Sequence, residues 1–254
     1  MLAAARVEQI MGMPIAVDLR DPLVDPGAVE DAFAWLRLVD ATFSTYRDDS
    51  EISRLNRGEL AEIDAGADVQ GVLLRCEQLR EETGGYFDAR APIPGAVDPS
   101  GLVKGWSVDR AARILDAAGA RNYYLNAGGD IRVRGCPEPG RPWRVGIQHP
   151  LVPGRLAAVV EANDLAIATS GEYERGKHIV NPRTGLPPDG VLSVTVVGPD
   201  LGTADAYATA AFAMGTAGPR WTARLRGYEA LTILADETVL STGAFPSVDA
   251  DSDL

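Results

Sequence analysis

Cysteine, histidine and basic residues are all scarce in this 254-residue sequence. Cys76 and Cys136 are the only cysteines, too few for a disulfide framework or a thiolate metal site, although one disulfide between them stays open. The 24 basic and 36 acidic residues give a net charge of −12, which argues against a surface for nucleic acid or anionic membrane. A single anionic ligand is compatible with this charge, because one metal ion or a few local cations reverse the sign of a pocket.

Long hydrophobic runs are also missing. No stretch approaches the roughly 18 apolar residues of a membrane helix, and the first ten residues carry Arg6 and Glu8 where a leader would have an apolar centre. Hydrophobic residues make up 46% of the chain and charged residues 24%, enough for a substantial core. We therefore expect a cytoplasmic protein, or one facing the periplasm if a leader was removed.

Segments with helical hydrophobic periodicity and segments with strand-like periodicity do not alternate regularly along the chain. This favours an α+β fold over a doubly wound sheet. One globular unit is expected over residues 1–244, followed by a disordered acidic tail over residues 245–254. Residues 44–56 and 84–105 look like loops. The predicted helices are Pro26–Val39, Asp68–Thr83, Gly105–Ala118, Thr203–Met214 and Pro219–Arg226. The predicted strands are Met11–Leu19, Tyr123–Leu125, Ile131–Val133, Trp143–Ile147, Leu156–Val160, Leu165–Ala168, Val191–Val197, Ala230–Leu234 and Thr238–Leu240.

Two glycine-containing segments could approach a ligand closely. The loop from Val97 to Gly105 leads into a helix, whose free N–H groups favour anions, and Lys104 could neutralise a phosphate there. Such helix starts are common, however, and most are structural. Asn126–Asp130 carries Gly128-Gly129, which suits either a hairpin turn or the close approach of a planar ring or phosphate. On its own, the turn is the simpler interpretation.

Two further segments carry reactive side chains. Thr169–Gly185 includes His178, one of two histidines, beside an apolar Ile-Val pair; histidine is the usual general base near neutral pH, yet a lone histidine is more often structural. Asp205 and Thr209 are four residues apart on a predicted helix, so their oxygens share one face and suit Mg²⁺. Alternatively, Asp205 is an acid of the first helical turn and Thr209 bonds to its own backbone.

Jointly, these segments have the order of one family. The full set is Met11-Gly12, Phe43-Ser44-Thr45-Tyr46 with Ile52–Asn56, Gly85-Tyr86-Phe87-Asp88, Asp98–Asp109, Asn126–Asp130, Thr169–Gly185 and Asp205–Gly215. From Met11 to Gly243, the sequence resembles the FAD:protein FMN transferases of the ApbE family. The most specific parts are the Ser-Gly-x-Tyr-x-Arg-Gly-x-His run ending at His178 and the pair Asp205 and Thr209.

The resemblance implies an α+β fold of two intimate lobes, related to the T-fold, with FAD as substrate in the cleft between them. The implied FAD contacts are Met11, Tyr46, Tyr86, Phe87, Asp88, Asp98, Lys104 and the backbone of His178 and Ile179. The implied Mg²⁺ ligands are the carbonyls of Gly101 and Ala208 with the side chains of Asp205 and Thr209. The sequence departs from the family where Met13 follows Gly12 in place of a common Thr, where Asn181 replaces a frequent Asp, and at Gly101, where Ala is usual.

The implied reaction is Mg²⁺-dependent cleavage of the FAD pyrophosphate. FMN is transferred to a Thr or Ser hydroxyl of an acceptor flavoprotein and AMP leaves. His178 is the first candidate for the base that activates the hydroxyl, and Asp205 is the second. An FAD pyrophosphatase that uses water is the nearest alternative, and a non-catalytic FAD-binding protein is another. Lys104, Asp205 and Thr209 argue against the latter, since binding alone needs no pyrophosphate-activating metal.

Overall fold

The computed structural model describes residues 5–91, 95–171 and 179–248. Its helices are α1 (Gly27–Phe43), α2 (Glu51–Asn56), α3 (Ala67–Glu82), α4 (Ser100–Ala117), α5 (Leu201–Ala213) and α6 (Gly218–Thr222). Its strands are β1 (Arg6–Ile10), β2 (Met13–Leu19), β3 (Tyr123–Ala127), β4 (Asp130–Arg134), β5 (Trp143–Gln148), β6 (Leu156–Ala162), β7 (Leu165–Gly171), β8 (Val191–Gly198), β9 (Glu229–Leu234), β10 (Val239–Ser241) and β11 (Ser247–Val248). None of these helices has the length and apolar character needed to cross a membrane.

Two antiparallel sheets form the centre of the molecule. The larger has eight strands in the order β1-β2-β3-β4-β7-β8-β9-β10, and the smaller has the order β11-β6-β5. Nearly every strand of the large sheet therefore pairs with the strand before it in the sequence. The exception is the excursion through β5 and β6, which form the small sheet. The mixture of helices with antiparallel sheets confirms the predicted α+β class.

Three buried clusters show how the layers pack. Helices α1, α4 and α5 cover one face of the large sheet, where Phe33, Leu115 and Phe212 meet strand residues such as Leu125 and Val196. The other face packs against the small sheet. A third cluster lies around α3 and the segment after it, and reaches α4 and α5. Such apolar contacts are the main favourable contribution to folding.

Several predicted boundaries are wrong. Strand β1 was not predicted, because it is an edge strand whose polar residues are stabilised by distant partners, as in the Arg6–Glu30 ion pair. Residues 44–56, predicted as a loop, contain α2, which Ser50 caps by accepting a hydrogen bond from the Ser53 N–H. The predicted disordered tail is wrong for its first residues, since Phe245 is buried and β11 pairs with β6. Residues 249–254 lie outside the described part of the chain.

The start of α4 is a further correction. The sequence predicts a helix from Gly105, but α4 begins at Ser100 and includes both Gly101 and Gly105. Glycine lowers helix propensity by about 1 kcal/mol relative to alanine, so both residues argued for a loop. At Gly101, however, a Cβ would lie 3.1 Å from the Phe87 ring. The glycine accommodates close packing within a helix.

Candidate functional site

Two glycine turns meet at one end of the large sheet. The β1–β2 hairpin turns at Met11 and Gly12, with φ of 54° and 72°. The β3–β4 hairpin turns at Gly128 and Gly129, with φ of 57° and 98°, so the predicted hairpin at Asn126–Asp130 is confirmed. Because β2 pairs antiparallel with β3, the two turns are neighbours. A Cβ at Gly128 would lie 2.9 Å from the Met13 sulfur, so the Met13 side chain packs directly against the Gly128 backbone.

A charged cluster of one lysine and two aspartates lies beside these turns. Lys104 of α4 places its Nζ 2.7 Å from Asp130 Oδ2 and 3.7 Å from Asp205 Oδ1. Asp130, at the start of β4, is 1% exposed and Asp205 of α5 is 3% exposed. If all three groups are ionised, the cluster carries one excess negative charge. A buried pair of carboxylates with a single lysine is expensive to desolvate, which marks it as a candidate functional site.

Strand β7 adds hydroxyl groups to the same place. The Thr169 N–H donates to Asp130 Oδ1 at 3.3 Å, which orients that carboxylate. The next residue, Ser170, has its hydroxyl 3.2 Å from the Thr209 hydroxyl on α5. Thr209 therefore reaches across to the sheet, one turn beyond Asp205 on the same helix. Carboxylate and hydroxyl oxygens thus gather between α5 and β7.

Close packing of α4 on α5 sets the spacing of the cluster. A Cβ at Gly105 would lie 2.5 Å from the Leu201 carbonyl oxygen, and one at Gly202 would lie 3.0 Å from the Trp106 nitrogen. Asp109 of α4 fixes the start of α5, because its Oδ2 accepts hydrogen bonds from the N–H groups of Leu201 (2.8 Å) and Gly202 (3.0 Å). Burial, together with the nearby Asp200, raises the pKa of Asp109 to about 7.

The helix start also decides between two interpretations of Asp205. Asp200 is the N-cap of α5, and its carboxylate accepts from the Thr203 N–H at 2.7 Å. The first turn of α5 contains no acidic residue, so Asp205 is not the first-turn acid of the alternative interpretation. Its carboxylate instead faces Lys104.

The oxygen atoms of this site are of the chemical types that bind Mg²⁺. Asp205 and Thr209 share a helix face, Ala208 lies between them, and Gly101 is on the packed helix α4. No group of three or more His, Cys, Asp or Glu side chains able to hold a metal occurs among residues 5–91, 95–171 and 179–248. One carboxylate with carbonyl and hydroxyl oxygens is nevertheless a set that Mg²⁺ accepts, since it keeps several waters and needs few protein ligands.

The residues expected to contact FAD differ in burial and in their neighbours. Phe87 is buried against Gly101, whereas Tyr86 is half-buried under the guanidinium of Arg183. Asp88 and Asp98 each accept a hydrogen bond from the backbone two residues later, so both shape their own loops. Both carboxylates are partly exposed and remain able to meet a ligand.

Three further residues expected to contact FAD are Tyr46, Ile179 and His178. Tyr46 is 97% exposed, and the structure does not bring its ring into the cluster. Ile179 is partly buried against the core shared by the large sheet and its helices. His178 lies outside the described residues.

Asp130 and Ser170 were not singled out as site residues from the sequence. Asp130 is an acid at the first position of a strand, where aspartate is unfavourable. This unusual position is the sequence signal that could have identified it as a site residue. Its partner Lys104 is on another element, so the pair itself could not be read from spacing.

The cysteines are both free, and burial raises the pKa of Cys76 to about 12.

A cavity among the described residues lies apart from this cluster. It has a volume of about 500 Å³ and lies beside α3, lined in part by Leu73, Cys76, Asp88 and Val97. It shares Asp88 with the expected flavin contacts. Lys104, Asp130 and Asp205 do not line it, so this cavity does not mark the candidate site.

Fold and site together define an α+β protein with a charged cluster where two helices meet one end of an antiparallel sheet. The sequence profile of the ApbE family matches residues 11–93 and 90–232. The chain belongs to the ApbE family, which confirms the resemblance stated from its motifs.

Named relatives agree with this assignment. A Haemophilus influenzae protein named FAD:protein FMN transferase is 30% identical over 73% of this chain and 72% of its own length. A Vibrio cholerae protein of the same name is 42% identical over 47% of this chain. The match spans only 39% of that relative, so the activity of the whole protein is carried to this chain as a proposal.

Solved structures extend the likeness to the whole fold. The flavin transferase ApbE from Vibrio cholerae superposes with a TM-score of 0.86 and 27% identity, covering 96% of this chain and 99% of that one. The ApbE protein of Thermotoga maritima superposes with a TM-score of 0.85, covering 95% of this chain and 97% of its own, and at 22% identity it supports the fold alone.

Proposed function

We propose that this protein is an FAD:protein FMN transferase that cleaves the FAD pyrophosphate and transfers FMN to a Thr or Ser hydroxyl of an acceptor protein. The observation that carries the proposal is the pair of buried carboxylates, Asp130 and Asp205, that contact Lys104 beside Thr209, in a chain of the ApbE family. Flavin binding alone would not require such a cluster. The cytoplasmic location expected from the sequence stays a prediction.

Mg²⁺ is the metal that this donor set favours. Asp205, Thr209 and the carbonyls of Gly101 and Ala208 would hold it, and a divalent cation would turn the single excess negative charge of the cluster positive. When bound, Mg²⁺ supplies Lewis-acid stabilisation of charge on phosphate oxygens.

Lys104 contributes a positive charge to the same location. Its Nζ is held by Asp130, whose other oxygen is fixed by the Thr169 amide. A cation held in place in this way stabilises charge developing on the pyrophosphate without having to reorganise. Gly128 and Gly129, lacking side chains, let the phosphates or the ring approach the backbone.

The remaining chemistry concerns the acceptor. Its hydroxyl loses a proton to a base, for which His178 is the first candidate and Asp205 the second. The hydroxyl oxygen forms a bond to the phosphorus on the FMN side, the bond from that phosphorus to the bridging oxygen breaks, and AMP leaves with that oxygen. FMN is then joined to the acceptor by a phosphoester.

Covalent flavinylation tests the proposal. The purified protein is incubated with FAD, Mg²⁺ and a protein extract of its source organism, and flavin-fluorescent bands on a denaturing gel are identified by mass spectrometry. We expect a Thr or Ser carrying one FMN, with AMP released in equal amount. Release of AMP and free FMN with no labelled protein would instead identify the FAD pyrophosphatase. An extract incubated without the enzyme is the control.

A further inference from the structure

Arg183 lies in a turn that holds its backbone firmly. The Asn181 side-chain oxygen accepts from the Arg183 N–H at 2.9 Å. The Asn181 carbonyl accepts from the N–H groups of Thr184 (3.1 Å) and Gly185 (2.8 Å). A side-chain amide that bonds two residues ahead in this way is typical of a stable turn. The long side chain of Arg183 therefore starts from a fixed point.

From this turn, Arg183 reaches a segment about 100 positions away in the sequence. Its Nη2 donates to the Gly84 carbonyl at 2.7 Å, and its guanidinium carbon lies 4.3 Å from the centre of the Tyr86 ring. One planar group thus makes a hydrogen bond and a cation–π contact at once. Arginine suits this double role because its charge is delocalised over a flat fork of donors.

The contacted segment has a second anchor on its other side. The Thr83 hydroxyl donates to the Leu79 carbonyl of α3 at 2.7 Å and accepts from the Phe87 N–H at 3.0 Å. Thr83 therefore ties the segment to its own helix. Arg183 ties it to the turn that follows the residues expected to carry the base. Tyr86 lies between the two anchors.

We propose that Arg183 is a positioning residue for FAD, acting through Tyr86 and the Gly84 carbonyl. This inference rests on the proposed function and on the FAD contacts that the family resemblance implies at Tyr86, Phe87 and Asp88. By holding the segment in one conformation before FAD arrives, Arg183 lowers the ordering cost of binding. It takes no part in bond cleavage, so its loss weakens FAD binding and leaves the saturated rate nearly unchanged.

The test compares Arg183→Gln with Arg141→Gln, which removes the same charge from an exposed arginine on the β4–β5 connection. FAD affinity is measured by flavin fluorescence with Mg²⁺ present, and the rate of AMP release is measured at saturating FAD. We expect Arg183→Gln to raise the FAD dissociation constant about 5- to 10-fold, less than the full strength of a cation–π contact and a charged hydrogen bond because Arg183 acts on FAD only through its partners. The saturated rate should stay within about two-fold, and Arg141→Gln should change neither quantity.

A double-mutant cycle with Tyr86→Leu then identifies the partner. In the Tyr86→Leu background, Arg183→Gln should cost clearly less affinity than it does in the wild type, because the cation–π contact is already gone. Arg183→Lys should recover part of the lost affinity. Equal losses in both backgrounds, or an affinity equal to that of Arg141→Gln, would overturn the inference. If the wild type fails to bind FAD at all, the proposed function itself is wrong.

Discussion

Gly105 on α4 and the Leu201 carbonyl at the start of α5 are in direct contact, and a Cβ on Gly105 would lie only 2.5 Å from that oxygen. This contact sets how close the helix bearing Lys104 can come to the helix bearing Asp205. The Lys104–Asp205 distance of 3.7 Å depends on it. The spacing of the site charges is therefore determined by the absence of a side chain.

Gly105→Ala tests this dependence. Because the clashing atoms belong to backbone, they cannot rotate away, and we expect a loss of about 1–3 kcal/mol in the free energy of unfolding together with a loss of transfer activity. Gly71→Ala is the matched control. It lies on α3 with no atom within 4 Å of a Cβ, so alanine there should stabilise by about 0.5–1 kcal/mol. Urea denaturation of both variants checks the difference, and equal behaviour would contradict it.

Asp205→Asn should abolish transfer and leave the fold intact. The amide keeps the shape of the side chain but removes the only carboxylate among the expected Mg²⁺ ligands, so the rate should fall by at least ~100-fold. Asp200→Asn is the control, since asparagine still caps α5 and the charge change is the same. The measurement is AMP release as Mg²⁺ is varied. Wild-type activity of Asp205→Asn at limiting Mg²⁺ would exclude the metal assignment.

The raised pKa of Asp109 predicts that the free energy of unfolding depends on pH. Its pKa of about 7 in the fold lies above the ordinary aspartate value of 3.8, so its contribution is complete below about pH 4 and is lost as the pH rises through 7. Asp109→Asn has no such loss. Between pH 5 and pH 8 we expect the wild type to lose roughly 1–3 kcal/mol relative to this variant, as measured by urea denaturation at both pH values. Other titrating groups cancel in the comparison, and parallel profiles would refute the role of Asp109.

His178→Ala separates catalysis from binding. As a positioned base, His178 should contribute about 10²- to 10⁴-fold to the saturated rate, and its removal should eliminate one limb of the pH–rate profile. FAD affinity should change little, because a base acts mainly in the transition state. The measurements are single-turnover transfer and FAD titration. A variant with weakened FAD binding but a near-normal saturated rate would move the base role to Asp205.

The sequence predicts most elements of the fold because their apolar periods are strong. Helix α3 and strand β8 are placed to within about a residue or two, the usual uncertainty of element ends. The predicted start of α4 was wrong for a physical reason. Gly101 and Gly105 weaken a helix locally, but each accommodates a close neighbour, Phe87 or Leu201, that is distant in sequence. Local propensity cannot show a contact of that kind.

The site was predictable only in part. The Asp205–Thr209 pair follows from helical spacing, and the structure adds the contact of Thr209 with Ser170. The role of Asp130 could not be predicted, because Lys104 meets it only after α4 has packed on the sheet. Most of the expected FAD contacts came from the family resemblance, and no spacing rule would have chosen them.

The near-sequential order of the large sheet has a consequence for biosynthesis. As the chain leaves the ribosome, each new strand of that sheet can add to the edge formed by the strand before it, with β5 and β6 set aside for the small sheet. Lys104 and Asp130 are both made well before α5. A nascent chain ending at β8 thus lacks Asp205 and Thr209, and the proposed metal ligands are complete only when most of the chain has been translated. Chains that end before Asp205 therefore lack three of the four proposed metal ligands.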